Sequence, residues 1–252
     1  MRKQAEDTFF SYVWPLQGVR AHFIVDTGYD EPMSGYETLV YCALSPRESE
    51  AEAFTPREAR RCDKIERKLL RALRDAVYAG MIHMDALRQY YFYARDPEDA
   101  LEAMERIAEK EKLLRVSPGS AHEPDWLTYH ALLLPDAAKY QTVLNTELIE
   151  RLRKTGDGLA AVRRLTFSMC FPSEQTRLLF QEQAKAVGFA IGEPQFKSEL
   201  TLPHMLTIHA LSALVQEDVD ELTTRAIHAA EPFGGELLRW SCPVMPKRNP
   251  LA

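Results

Sequence analysis

Seven histidines and 37 acidic side chains are the raw material for acid–base or metal chemistry in this 252-residue chain. Spacing assembles very little of it. There is no HExxH segment and no histidine pair four apart on one helical face, the arrangements that chelate zinc. His204 and His209 lie an odd number apart in one strand and should point to opposite sides. His22, His83 and His130 each fall in a predicted strand of the first half and would meet only if the fold brought those strands together; a lone strand histidine is more often a satisfied polar residue. GxGxxG, GxxxxGK[ST] and GxSxG are all missing, so neither a phosphate-cradling loop nor a nucleophile elbow is indicated. Asp125 beside Trp126 has the form of an acid against an apolar wall, although Pro124 and Asp125 serve as well to start a strand. Cys42, Cys62, Cys170 and Cys242 are scattered without a CxxC pair, which speaks against structural zinc or a disulfide framework and fits a reducing compartment. The reading is therefore of no catalytic residue, no cofactor and no metal site.

Two clusters remain for binding. Glu217, Asp218, Asp220 and Glu221 gather at the start of a predicted helix, off its apolar stripe. They read as a solvated surface or, functionally, as a negative patch for a positively charged protein. "QYYFYAR" is aromatic on both strand faces, Tyr91 and Tyr93 one way, Tyr90 and Phe92 the other. In a one-sided sheet the outer pair could stack bases. Packing explains a doubly apolar strand more simply, and a net charge of −6 does not favour phosphate backbones.

The elements that must hold these residues follow from periodicity. In the second half "RLTFSMCF" alternates as a half-buried strand. A helix capped by Ser173 follows, with Phe180, Ala184 and Val187 along one side and Gly188 at its end. "FAIGEPQF" and "LPHMLTIHALSA" read as strands, and "VQEDVDELTTRAIHAAEPFGG" as a helix with Val215, Val219, Leu222, Ala226 and Ala229 inward. Gly234 and Gly235 stop it, and a strand carrying Leu238, Trp240, Cys242 and Val244 on one face closes the set. That βαββαβ order predicts a four-stranded antiparallel sheet with both helices on one side and Trp240 in the core.

In the first half, strands "VRAHFIVDT" and "ETLVYCAL" precede a helix opened by the capping box "TPRE", which is expected to run to about Tyr78. "AGMIHM" and "LRQYYFYA" form paired strands, a helix begins at Asp96–Pro97, and "LLRV" and "WLTYHALLLP" are expected as closing strands. Residues 136–158 hold a linking helix with Tyr140, Leu144, Leu148 and Leu152 aligned, ending at "TGDG". The whole reads as α+β, two ferredoxin-like antiparallel sheet domains joined by a helix: 1–135, then the linker 136–158, then 159–252. Nowhere is there an apolar run long enough for a signal peptide or a membrane span, so a cytoplasmic location is expected.

"NTELIERLRKTGDGLAAVRRLTFSMCFPSEQTRLLFQEQAKAVGFAI" resembles the bacterial family named regulator of ribonuclease E activity B. The marks are Gly156–Asp157, the pair Arg163–Arg164, Gly188–Phe189 and the closing "FGGELLRWSCPV". The first half, with "RQYYFYARD" and "EPDWLTYHALLLP", is similar to a bacterial domain of unknown function (DUF695-like). The resemblance implies a ferredoxin-like second half without catalytic residues, and a protein partner, an endoribonuclease, whose activity is changed by binding. Those relatives are strongly acidic with acidic tails, whereas residues 160–252 are nearly charge-balanced and end in "PKRNPLA". A non-enzymatic regulatory protein is thus expected. An enzyme with a pocket between the domains and a single-stranded RNA binder are the alternatives.

Overall fold

The computed structural model describes residues 8–48 and 51–246, and the chain divides into two compact units, Met1–Pro135 and Asp136–Ala252. The terminal Lys247–Arg248 pair lies outside the described residues. The fold is α+β, with antiparallel sheets of six and four strands and five α-helices among the described residues. None of these helices is long and apolar enough to cross a membrane.

The first unit runs β1 (Phe9–Leu16), β2 (Val19–Asp26), β3 (Thr38–Pro46), α1 (Pro56–Ala72), β4 (Val77–Met84), β5 (Leu87–Ala94), α2 (Pro97–Glu109) and β6 (Leu114–His122), in sheet order β1-β2-β4-β5-β3-β6. The capping box forms as expected: Thr55 Oγ1 accepts from the Glu58 backbone N–H, and Glu58 Oε2 accepts from the Thr55 N–H at 2.9 Å. A cap of this kind is worth about 1 kcal/mol. The helix stops at Ala72 rather than near Tyr78, because Val77 and Tyr78 are drawn into β4, where they pair with Tyr93 and Phe92; β-branched and aromatic residues favour the pleated surface. One sheet face, with Val40, Cys42, Leu44, Tyr90 and Phe92, packs on Cys62, Ile65 and Leu69 of α1 and Ala100 and Met104 of α2.

The opposite face corrects the expectation of a closing strand at "WLTYHALLLP". β6 extends through Pro118 and Gly119 to His122, and Thr128–Leu133 form a π-helical turn. Trp126, Tyr129 and Leu133 all point inward and are fully buried. Their spacing of three and four is that of a helical stripe, a signal the apolar run concealed. The Trp126 ring stacks on Tyr93 at 4.0 Å, and its Nε1 donates to the Tyr36 carbonyl at 2.7 Å. Tyr129 Oη donates to Asp26 O at 2.7 Å, and Tyr12 Oη to Leu133 O at 2.8 Å. Both faces of β5 are therefore buried. Tyr93 meets an indole rather than a base, and Tyr91 is only 6% exposed.

The second unit runs α3 (Ala137–Lys154), β7 (Arg163–Phe171), α4 (Glu174–Ala186), β8 (Ala190–Phe196), β9 (His204–Ser212), α5 (Gln216–Ala230) and β10 (Glu236–Ser241), in sheet order β10-β7-β9-β8. The first and third strands of the βαββαβ set are thus central. Leu165, Phe167, Met169, Phe171, Leu206, Ile208 and Trp240 meet Phe180 and Ala184 of α4 and Val219, Ala226 and Ala229 of α5 in one core. The double glycine before β10 has two separate causes. Gly234 takes the left-handed conformation (φ 63°), which a side chain disfavours. A Cβ on Gly235 would sit 2.1 Å from the Phe171 ring.

The α3 helix buries only the second half of its apolar stripe, Leu148 and Leu152 packing on the core. Tyr140 and Leu144 are exposed, while Ala138, Gln141, Thr142, Asn145 and Ile149 are buried. Asn145 can be buried there because α5 and Trp240 supply hydrogen-bond partners for its amide.

Candidate functional site

Asn145 is the centre of that set. Its Nδ2 donates to Asp220 Oδ1 at 2.7 Å and to Thr223 Oγ1 at 2.9 Å. Its Oδ1 accepts from Trp240 Nε1 at 2.7 Å and from Gln141 Nε2 at 2.9 Å. A buried amide with all four contacts met has its desolvation cost offset and fixes the register of three elements. Gln216 Nε2 adds two contacts to the Asp220 carboxylate, at 2.9 and 3.0 Å.

This splits the acidic group singled out at the start of α5. Asp220 faces α3 and is occupied by Asn145 and Gln216. Glu217, Asp218 and Glu221 are exposed, and Glu221 pairs with Arg225 at 3.0 Å. Residues three and four apart share a helix side, so Glu221 lies on the same outer side as Glu217 and Asp218. Val215 caps α5 without a side-chain hydrogen bond, which leaves first-turn N–H groups and the positive helix end facing these carboxylates. Sequence reasoning missed the inward turn of Asp220 because its partner, Asn145, lay on a face taken for polar surface.

A second cluster surrounds Arg163. With Asp157 it forms an ion pair of 2.8 Å whose two side chains are wholly buried. Arg163 also donates to the carbonyls of Gly158 (2.8 Å), Ala161 (3.1 Å) and Pro243 (3.1 Å), and Asp157 Oδ2 accepts from the Met245 N–H at 2.7 Å. The Arg163 hydrogen bond and the Met245 N–H hold the Asp157 carboxyl below the usual carboxylate range. The pair ties the turn after α3, the first residue of β7 and the segment after β10 together. Arg164, its neighbour, is exposed.

The histidines meet in part. His22 on β2 and His83 on β4 are direct cross-strand partners, and Arg88 on β5 is opposite His83. His22 Nε2 lies 2.7 Å from Ser11 Oγ on β1, and Arg88 is held by Asp63 at 2.6 Å. Burial and the nearby Arg88 charge lower the pKa of both imidazoles. His130 does not join them: it is carried on the π-helical turn, against the Tyr129 ring. Among the described residues no group of three or more His, Cys, Asp or Glu side chains is placed to hold a metal ion. Asp125 is exposed while Trp126 is fully buried, so they form no acid–indole pocket.

Residues 11–134 match the model of a family of unknown function, DUF695, and residues 143–242 match that of the regulator of ribonuclease activity B. The order is the one the sequence marks suggested. No curated protein matches the chain. A crystal structure of an unknown protein from Galdieria sulphuraria covers 82% of this chain and 99% of its own, at 13% identity and a TM-score of 0.22, too low to bear on the fold.

Proposed function

We infer that the chain is a non-enzymatic regulatory protein that docks on a ribonuclease and alters its activity. The observation that carries this reading is the match of residues 143–242 to the regulator of ribonuclease activity B. The residues that mark the match support it indirectly. Asp157, Arg163, Phe189 and Trp240 are spent on internal packing, so contact with a partner falls to surface groups. Glu217, Asp218 and Glu221 provide a negative patch on the outer side of α5, suited to a basic surface and to electrostatically steered association. We place the protein in the cytoplasm, where its four unpaired cysteines stay reduced.

The test is a cleavage assay with ribonuclease E and a short single-stranded RNA, titrated with the purified chain. A saturable change in cleavage rate is expected, weakened at least tenfold in E217K/D218K and falling as salt rises. An unchanged rate at tenfold molar excess overturns the reading. An effect that survives E217K/D218K intact overturns the assignment of the patch alone.

A further inference from the structure

Among the described strands, the hairpin of β1 and β2 is attached to the rest of its sheet through β4 alone, by a ladder of four residue pairs, and His22 opposite His83 is one of them. The ladders on either side are longer, with eight pairs for β1–β2 and seven for β4–β5. The row continues across the sheet from Val13 through His22 and His83 to Arg88. Three nitrogen bases on adjacent strands thus lie side by side on the face that α1 and α2 cover only in part, and like charges directly opposite one another destabilise a strand pair.

We propose that the His22–His83 pair makes the β2–β4 seam an acid-responsive joint, closed when both rings are neutral and loosened when both carry a proton. The groups facing the pair decide the sign. From β1 come only the Ser11 hydroxyl and Val13. From β5 comes Arg88, and from α1 comes Asp63, whose carboxylate is bonded to Arg88 rather than to either ring. Glu66, also on α1, is partly buried and hydrogen-bonded to Tyr78, and burial raises its pKa. Phe54 lays an apolar ring 6.0 Å from that of His83. Arg20 precedes His22 by two residues and so shares its side of β2. On the favourable side stand only the Asp85 backbone contact and charge at His83, and they are outweighed by burial and Arg88.

Both imidazoles therefore titrate below the ordinary value of 6.5. For a base whose folded pKa is depressed, acid favours the open or unfolded form. Seam stability is complete above pH 6.5 and declines as pH falls through the folded values. The opening is confined to the seam, because Tyr12, Phe23 and Val25 hold the hairpin on the other face.

Amide hydrogen exchange on the full chain at pH 7.5 and 5.0, expressed as protection factors, tests this. Protection over residues 19–26 and 77–84 is expected to fall at least tenfold at pH 5.0, while β3 and β6 keep theirs. H22Q/H83Q removes the pH dependence and leaves protection at pH 7.5 within about threefold. Unchanged protection in the parent protein, an equal fall in the variant, or a fall shared by β3 and β6 each overturns the proposal. Should the double variant not fold, NMR titration of the two rings in the parent decides: a value at or above 6.5 for either ring overturns it.

Discussion

Replacing Arg163 by methionine removes one half of a fully buried ion pair while keeping the aliphatic volume. Four hydrogen bonds disappear, to Asp157, Gly158, Ala161 and Pro243. The Asp157 carboxylate is left with the Met245 N–H alone, its Oδ1 being already without a partner. Stranding a buried charge in this way costs about 3–5 kcal/mol, a large share of the roughly 6–15 kcal/mol that holds a unit of this size. At about 4 °C per kcal/mol, the melting temperature of the second unit should fall by roughly 12–20 °C. D157N/R163M should recover at least half of the loss, since asparagine can still accept from Met245 and no charge remains. Native-state hydrogen exchange over residues 163–171 and 236–246, with 38–46 as the internal control, localises the effect. The pH dependence adds a second signature. In the parent protein Arg163 holds the Asp157 pKa below its ordinary 3.8, so the pair's contribution is present above that value and lost as pH falls through the folded one. In R163M burial without a partner pushes the carboxyl up instead, and the gap to the parent should narrow between pH 7 and 4. A cost under 1 kcal/mol, or a double variant as damaged as the two singles added together, refutes the reasoning.

Three further outcomes follow from the same packing. N145L leaves Trp240 Nε1 and Asp220 without their buried partner and should cost about 2–4 kcal/mol by urea unfolding, with a change in indole emission as α3 loosens from α5. W126A removes the ring stacked on Tyr93 and should destabilise the first unit by about 3–5 kcal/mol, seen as loss of near-ultraviolet aromatic dichroism. E217K/D218K puts two positive charges at the positive end of α5 and should cost about 1–2 kcal/mol, a drop of roughly 4–8 °C, with the loss of binding as the larger effect.

What could be read from the sequence was whatever a single element encodes by itself. The alternation of Leu165, Phe167, Met169 and Phe171 specifies β7 wherever it is placed, and Thr55–Glu58 specifies the start of α1 within four residues. Trp240 is core as expected, but the alternation behind that expectation fails on either side of it: a bulge between Leu237 and Arg239 turns Leu238 outward and Val244 is exposed, so Leu237 and Cys242 are the residues that pack with Trp240. The failures have a common cause, which is that the deciding partner was distant in sequence. Tyr140 and Leu144 look like the inner face of α3 until Asp220, Thr223 and Trp240 provide partners for Asn145 on the other side. "WLTYHALLLP" looks like a strand until β6 reaches His122 and leaves the aromatic face of β5 to be covered. The pairing of His22 with His83 depends on β2 lying next to β4 across α1 and a long stretch of chain, which no local pattern encodes.

The same distinction separates the residues that identify a family from those that would perform its task. Asp157 and Arg163 are marks of resemblance, yet the pair has no solvent-facing side chain with which to meet another protein. Its role is to fix the turn after α3 and the strand that starts the sheet, and through Asn145 and Trp240 the same packing sets the orientation of α5. Glu217 and Asp218 inherit their outward direction from that arrangement, because Asp220, Val219 and Thr223 are held on the inner side. Under the proposed function, a chain can keep every marking residue and still change partners by exchanging two carboxylates on one helix. Comparing D157N/R163M with E217K/D218K in one cleavage assay, at a temperature where both are folded, separates the two roles: the first pair should retain the saturable effect on cleavage, and the second should lose it.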